Sequence, residues 1–466
     1  MLFTTRLFLV GFLPPVLLGW WLLRPPRLRL AWLAFASYVF YAFWDWRFLP
    51  IVLVSTGVDF LAGRTIARSE HDGHRRALLV AALAVNLGLL GVFKYAGFFA
   101  DTANVLAVWL GIGRPLPVMH LILPLGISFY TFNSISYTID VYRRQIPPEP
   151  SALRYCAFVV AFPHLIAGPI VRYESMAGQL RRLQPRLTGD LLSRGLFFIS
   201  CGFAKKLLLA DSLAPTVDRL FAHHAQLGLI GSWLAALGYS LQLYFDFSGY
   251  CDIAIGLALL LGFTFPQNFD SPFTAANISD FWRRWHMSLS SWLRDYLFIP
   301  LGGSRGGAGK TARNLAIVML LGGLWHGAAA TFVVWGAIHG MLLAAHGVLR
   351  ARGLTPRSAI VNRAATFLCV VAAFVVFRAP DLGVAADLLG GMVGFRGLEH
   401  GAAASALLGT RFAVTVACLI VFVNVVPNTW RIRFRAGFGR GLSYGLVFGA
   451  AIIAIGGPSP FLYYQF

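Results

Sequence analysis

The chain has 466 residues, of which 58% are hydrophobic and only 12% charged; an ordinary soluble domain carries about 25% charged residues, so a soluble globular protein is excluded. The net charge of +20 would suggest nucleic acid in a soluble chain. Here the basic residues sit in short loops between apolar runs, which the positive-inside rule explains, and part of the charge can meet anionic lipid head groups, so no nucleic-acid partner is expected. Many apolar runs approach the roughly 20 residues of a spanning helix and are longer than barrel strands. The chain reads as an all-α polytopic membrane protein.

Leu7 to Leu23 is the first expected span, with no cleavage-site signature, followed by the basic loop Arg24 to Arg29. Leu30 to Trp44 and Phe48 to Ala62 are the next two, around a tight turn at Asp45-Trp-Arg47. Arginines 64, 68, 75 and 76 mark another cytoplasmic loop, which puts the N-terminus outside. Ala77 to Phe93 is a fourth span. Asn104 to Ile112 is too short to cross and is expected to be interfacial or re-entrant. Pro and Gly interrupt two later runs, at Pro124 to Phe132 and at Phe162 to Pro169; broken helices are tolerated at membrane depth where they line a cavity. Glu174 to Asp190 is polar and is expected to be an interfacial or cytoplasmic helix.

Leu191 to Ala210 carries Lys205 and Lys206 near its end. Gly228 to Phe263 is expected to form two short spans, broken at Tyr244-Phe-Asp-Phe-Ser-Gly-Tyr250, and Phe265 to Asn277 a buried aromatic loop. Leu315 to Trp325, Thr331 to Leu349, Ala364 to Phe377, Ser405 to Val426 and Leu442 to Gly456 complete the spans. Arginines between 431 and 440 are cytoplasmic by the same rule, so the last residues, Phe461-Leu-Tyr-Tyr-Gln-Phe466, are expected outside. There is no tandem repeat or linker, which suggests one membrane domain over 1–466 with its functional centre within 120–345. The five cysteines lie in apolar surroundings without a CxxC pair and read as core residues.

The chemistry concentrates between Phe281 and Gly340, where His286, His326 and His339 stand among arginines, tryptophans and apolar sequence. Ionisable groups at membrane depth are functional candidates. A neutral imidazole such as His326, in Leu-Trp325-His-Gly, can take the proton from a hydroxyl that attacks an acyl group, and a neighbouring donor can stabilise the oxyanion. His286 lies near Arg294 and Asp295, and Asp295 is a candidate to orient it. His339 is assigned a structural or supporting role. The spacing of the three histidines matches no zinc motif, so no metal is expected, and no Gly-x-Ser-x-Gly elbow or Walker pattern is present. Acids at 140, 246, 252 and 295 offer a competing reading as the proton relay of a secondary transporter. However, the paired interrupted helices of such transporters are missing.

Pro124-Leu-Gly-Ile-Ser-Phe-Tyr-Thr-Phe132, Tyr244 to Tyr250, Phe281-Trp-Arg-Arg-Trp-His286, Arg294-Asp-Tyr-Leu and Leu324-Trp-His-Gly327 together resemble the membrane-bound O-acyltransferase (MBOAT) family, in its alginate O-acetyltransferase-like branch. The resemblance implies a ring of roughly 11–13 tilted transmembrane and re-entrant helices around a central funnel. It also implies a cytoplasmic thioester donor (acetyl-CoA or another acyl thioester), His326 as the catalytic histidine, and His286 as a second polar position. Related D-alanylation systems carry the acyl group on the tyrosine of a Phe-x-Tyr-x-x-Phe peptide. Phe461-Leu-Tyr463-Tyr-Gln-Phe466 fits that pattern, making 458–466 an extracytoplasmic acyl-acceptor motif and Tyr463 the candidate acceptor. The expected partners are a separate SGNH-type transferase and an exported polysaccharide, at the bacterial inner membrane. Acylation of lipid or protein is the alternative within the family. Asn133 departs from the pattern, where Gln is expected.

Overall fold

The computed structural model describes residues 1–466 except 114, 118–120, 184–187, 399–408, 433–436, 457–460 and 463–466. Among the described residues every regular element is helical. Five stretches are long and apolar enough to cross a membrane: Pro26–Arg68, Asp72–Trp109, Leu229–Leu260, Ala330–Ala351 and Ala359–Arg378. Large apolar side chains point outward along them; Phe35, Leu61 and Val105 are each 60% exposed or more. Such surface is a liability in water and suits a hydrocarbon solvent. The protein is a multi-pass, all-α membrane protein.

The chain divides into two compact units, residues 1–199 with 253–266 and residues 200–252 with 267–466. The first holds α1 (Leu13–Leu22), α2 (Pro26–Asp45), α3 (Leu49–Arg68), α4 (Asp72–Trp109), α5 (Ile127–Tyr142), α6 (Ala152–Val160), α7 (Phe162–Leu165), α8 (Tyr173–Arg181) and most of α9 (Gly189–Phe203). Its centre is a buried polar knot joining three helices. Asp59 of α3 accepts from Asn86 Nδ2 of α4 at 2.8 Å and from Thr138 Oγ1 of α5 at 2.6 Å, and Ser55 Oγ donates to Asn86 Oδ1 at 2.6 Å. Buried polar groups must be paired, and here the two partners of Asp59 come from two other helices.

The sequence reading holds at the two interrupted runs. Gly126 starts α5 at φ 73°, and a Cβ there would stand 2.6 Å from the Leu165 carbonyl oxygen. At the second break, the Phe162 amide donates to Ser37 Oγ at 3.0 Å, so the interruption leaves no stranded amide there. It fails at α4, which runs unbroken for 38 residues, about 57 Å at 1.5 Å per residue. Asn104 to Trp109 is therefore the end of a long helix rather than a separate re-entrant piece. Lys94 mimics a helix end in the sequence, but its ammonium is inside, 3.5 Å from Ser128 Oγ.

The second unit holds α10 (Asp211–Ala222), most of α11 (Leu229–Leu260), α12 (Ile278–Arg284), α13 (Met287–Leu293), α14 (Gly307–His326), α15 (Ala330–Ala351), α16 (Ala359–Arg378), α17 (Leu382–Met392), α18 (Thr410–Val425) and α19 (Phe438–Ile453). α11 corrects the expectation of two short spans, because it passes through Tyr244 to Tyr250 without a break. Its acids are neutralised in place: Lys206 Nζ lies 2.6 Å from Asp246 and Lys205 Nζ 2.6 Å from Asp252. Both lysines stand in a π-helical turn, Ala204–Ala210. Gly249 is what lets that turn approach, since a Cβ there would stand 2.8 Å from the Gly202 carbonyl oxygen. α17 was not foreseen from the sequence.

Candidate active site

α14 and α15 form an antiparallel hairpin in which two glycines allow backbone contact. A Cβ on Gly323 would lie 2.2 Å from the Phe332 carbonyl oxygen, and one on Gly336 2.4 Å from that of Met319. The hairpin ends α14 at His326. There the imidazole, only 5% exposed, meets three aromatic rings edge to face: Trp325 at 5.0 Å, Trp335 at 5.1 Å and Phe377 of α16 at 5.1 Å between centroids. The sequence places His326 beside Trp325, but only the hairpin and α16 supply the other two walls.

His286 enters from the turn between α12 and α13 in a left-handed conformation, φ 44°, a region His tolerates better than most residues. Its ring packs edge-on against Phe247 at 4.8 Å and faces Trp325 at 6.0 Å. Trp325 thus borders both histidines. Asn268 organises this turn: its Oδ1 accepts from Ser288 N at 3.0 Å and Ser288 Oγ at 2.9 Å, and lies 3.3 Å from His286 Nδ1. An oxygen that only accepts requires the proton on Nδ1, which leaves the lone pair on Nε2. The Asn268 amide nitrogen donates in turn to Cys251 Sγ at 3.2 Å.

His339 sits one turn beyond Trp335 on α15. Its Nδ1 accepts from Trp282 Nε1 at 3.2 Å, and its ring stacks on Phe281 and packs against Trp335 at 4.7 Å. It belongs to the aromatic wall that holds Trp335 in place. The indole N–H of Trp335 is buried with no hydrogen-bond partner among the described residues, an available donor beside His326.

The structure therefore gathers His286, Trp325, His326 and His339 into one aromatic cluster. Arg294 and Asp295 lie in a π-helical turn after α13, paired with each other at 2.6 Å, with the Arg294 side chain 62% exposed. The residue seen on His286 Nδ1 is Asn268, which the sequence reading passed over. Its only sequence signal was membership of the buried aromatic loop after α11. Trp335 and Phe247 were passed over as well, since a tryptophan or phenylalanine in an apolar helix carries no mark of its own. Tyr463 lies outside the described residues, but Phe461 and Leu462, immediately before it, are 1% and 6% exposed. Among the described residues, no three His, Cys, Asp or Glu side chains are grouped so that they could hold a metal ion.

Known proteins resemble this chain over the segment that holds the cluster. The model of the MBOAT, membrane-bound O-acyltransferase family matches residues 142–378, which contain all three histidines and their rings. The chain is 40% identical to "Probable alginate O-acetylase AlgI" of Pseudomonas putida, over the full length of both. It is 39% identical to "Peptidoglycan O-acetyltransferase" of Helicobacter pylori, over 86% of this chain and 81% of that one. It is 29% identical to "Teichoic acid D-alanyltransferase" of Bacillus subtilis, over 57% and 70%. With the family match over half its length and full-length likeness to an O-acetylase, the transporter reading falls, and the chain belongs to the membrane-bound O-acyltransferase family and is an acyltransferase.

Proposed function

We propose that the protein moves an acetyl group from a cytoplasmic thioester, acetyl-CoA or another acyl carrier, across the bacterial inner membrane toward an exported polysaccharide. His326 is the general base and Tyr463 the acceptor. The imidazole takes the phenolic proton as the oxygen attacks the thioester carbonyl. The C–O ester bond forms, the C–S bond breaks, and the proton passes to the departing sulfur. Net, a thioester and a tyrosine become a tyrosyl ester and a thiol. The donor is already activated, so the site need only orient a hydroxyl, remove its proton and stabilise an oxyanion.

The observation that carries this reading is the enclosure of His326 by Trp325, Trp335 and Phe377, inside the segment that matches the family. Such walls exclude water, which strengthens any charge interaction within them and spares the ester from hydrolysis. The Trp335 indole N–H is the donor offered to the oxyanion. His286, with its lone pair on Nε2, is suited to hold the acceptor hydroxyl or, once protonated, to polarise the acyl carbonyl. The relatives whose names specify alginate and peptidoglycan support a polysaccharide as final acceptor, reached through an SGNH-type partner. In this reading both termini lie on the extracytoplasmic face, as the basic loops suggest.

The test is the mass of the C-terminal peptide from wild type and His326→Ala, purified after expression with the native operon. An acetyl-sized adduct on Tyr463, present in wild type and absent in the variant, is expected. A fully active His326→Ala variant refutes the base. An unmodified Tyr463 during ongoing polymer acetylation refutes the acceptor.

A further inference from the structure

We infer that the buried pair Lys206 and Asp246 is a clamp for the C-terminal tail, holding the main chain beside Tyr463 so that its phenol is delivered to the histidine cluster. The inference rests on the acceptor role proposed above for Tyr463.

The geometry reads both the tail's backbone and its side chain. Asp246 uses its two oxygens differently: Oδ1 takes the Lys206 ammonium at 2.6 Å, and Oδ2 accepts the Leu462 amide at 2.9 Å. The same ammonium stands 4.9 Å from the centroid of the Phe461 ring, and Tyr250 meets that ring edge to face at 4.2 Å. Lys206 and Asp246 are each 2% exposed. A charge pair this deep gains little over an apolar replacement of equal volume, so stability alone is a weak account of it. A charged carboxylate is, however, a strong acceptor for a backbone amide, and an ammonium over a ring recognises an aromatic residue. Together they suit a Phe-x-Tyr tail.

The helix register adds the link to chemistry. Asp246 and Tyr250 are four residues apart and share a face of α11. Phe247 occupies the adjacent position, rotated by about 100°, and packs on His286 at 4.8 Å. One turn of α11 therefore touches the tail on one face and His286 on the next. Tyr463 is bonded to Leu462, so fixing Leu462 limits where the phenol can reach.

Lys206 also pairs with Asp211 at 2.8 Å, whose side chain is 25% exposed, so two double variants of the full-length protein test the clamp while leaving only that partly exposed carboxylate without its lysine. Asp246→Leu with Lys206→Met removes the pair and the acceptor for the Leu462 amide. Asp246→Asn with Lys206→Met removes the charges but keeps an acceptor oxygen. The readouts are hydrogen exchange of the C-terminal peptide and acetyl occupancy of Tyr463, with the 323–340 peptide as a control for folding. In the leucine variant, exchange of the tail is expected to rise and acetylation to fall by about tenfold or more, the scale of one lost buried hydrogen bond, while 323–340 stays protected. The asparagine variant is expected to recover toward wild type in both readouts. A tail that stays protected in the leucine variant, a released tail with undiminished Tyr463 acetylation, or identical behaviour of the two variants overturns the clamp. Failure of the acceptor reading is a separate result, seen without any variant: wild-type Tyr463 unmodified while polymer is acetylated.

Discussion

Two buried polar clusters in this protein are built in opposite ways. In the first unit, Asp59, Asn86, Ser55 and Thr138 meet one another at 2.6–2.8 Å, each bonded to another polar side chain. In the second, His326 and His286 are walled mainly by rings: Trp325, Trp335 and Phe377 around one, Phe247 and Trp325 around the other. A polar group satisfied by fixed polar partners ties helices together and has nothing left to offer a substrate. An imidazole among rings is held by their shape and, at His286, by Asn268 as well, within largely apolar walls. On the function proposed above, the difference separates polar residues that hold the protein from those that act.

The sharpest way to break this comparison is to remove one member of each cluster. His326→Ala is expected to lower acyl transfer by about 10²–10⁴-fold, the usual worth of a general base, with thermal stability close to wild type. Asp59→Ala should do the reverse. It leaves the Asn86 amide nitrogen and the Thr138 hydroxyl with only their bonds to the Ala82 and Ser134 carbonyls and costs on the order of 1–3 kcal/mol, read as a lower Tm and less folded protein, with turnover per folded molecule nearly unchanged. If Asp59→Ala abolishes turnover at full stability, the division of roles is wrong.

Two changes sharpen it. Gly336→Ala puts a methyl group 2.4 Å from the Met319 carbonyl oxygen, and overpacking of this kind costs about 1–3 kcal/mol. Turnover should drop more than stability, because the hairpin that yields is the one presenting His326. Asn268→Ala removes the group that orients His286 and is expected to cost roughly tenfold or more in activity, as for the loss of a partner that fixes a working histidine. Asn268→Asp, which keeps the acceptor oxygens, should recover part of it. Equal loss in both variants would show that Asn268 serves only the fold of its loop.

The smallest effect concerns the loop that carries Asn268. Burial opposes ionisation of Asp270, but Arg431 at 2.8 Å and Asn428 at 2.7 Å, with Arg284, outweigh it and hold the carboxyl below its usual range. Its stabilising contribution is therefore complete above the ordinary carboxylate range and is lost as pH falls through the lowered value. Acidification should loosen residues 428–432 by hydrogen exchange in wild type and leave Asp270→Asn, already loosened, unchanged. These groups are partly exposed, so salt should weaken the effect.

Composition and hydrophobic runs were enough to establish membrane residence, the helical class and most element positions, because a lipid solvent demands long apolar helices whatever the fold. They misjudged exactness at two places for one physical reason. The fourth span was expected to stop at Phe93, before Lys94, and α11 to break at Tyr244 to Tyr250, around Asp246, yet both helices run on, since charges stay at membrane depth once they are paired. Only the tertiary structure supplies Ser128, Lys205 and Lys206 to receive them. The histidines at 286, 326 and 339 were legible because such residues are rare in apolar sequence. Asn268, Trp335 and the tail's hold on Asp246 were not, since each meets its partners only through the fold: those of Asn268 lie 17–20 positions away and Leu462 lies 216 from Asp246. A side chain's chemistry is written in its own residue; its partners are decided by the fold.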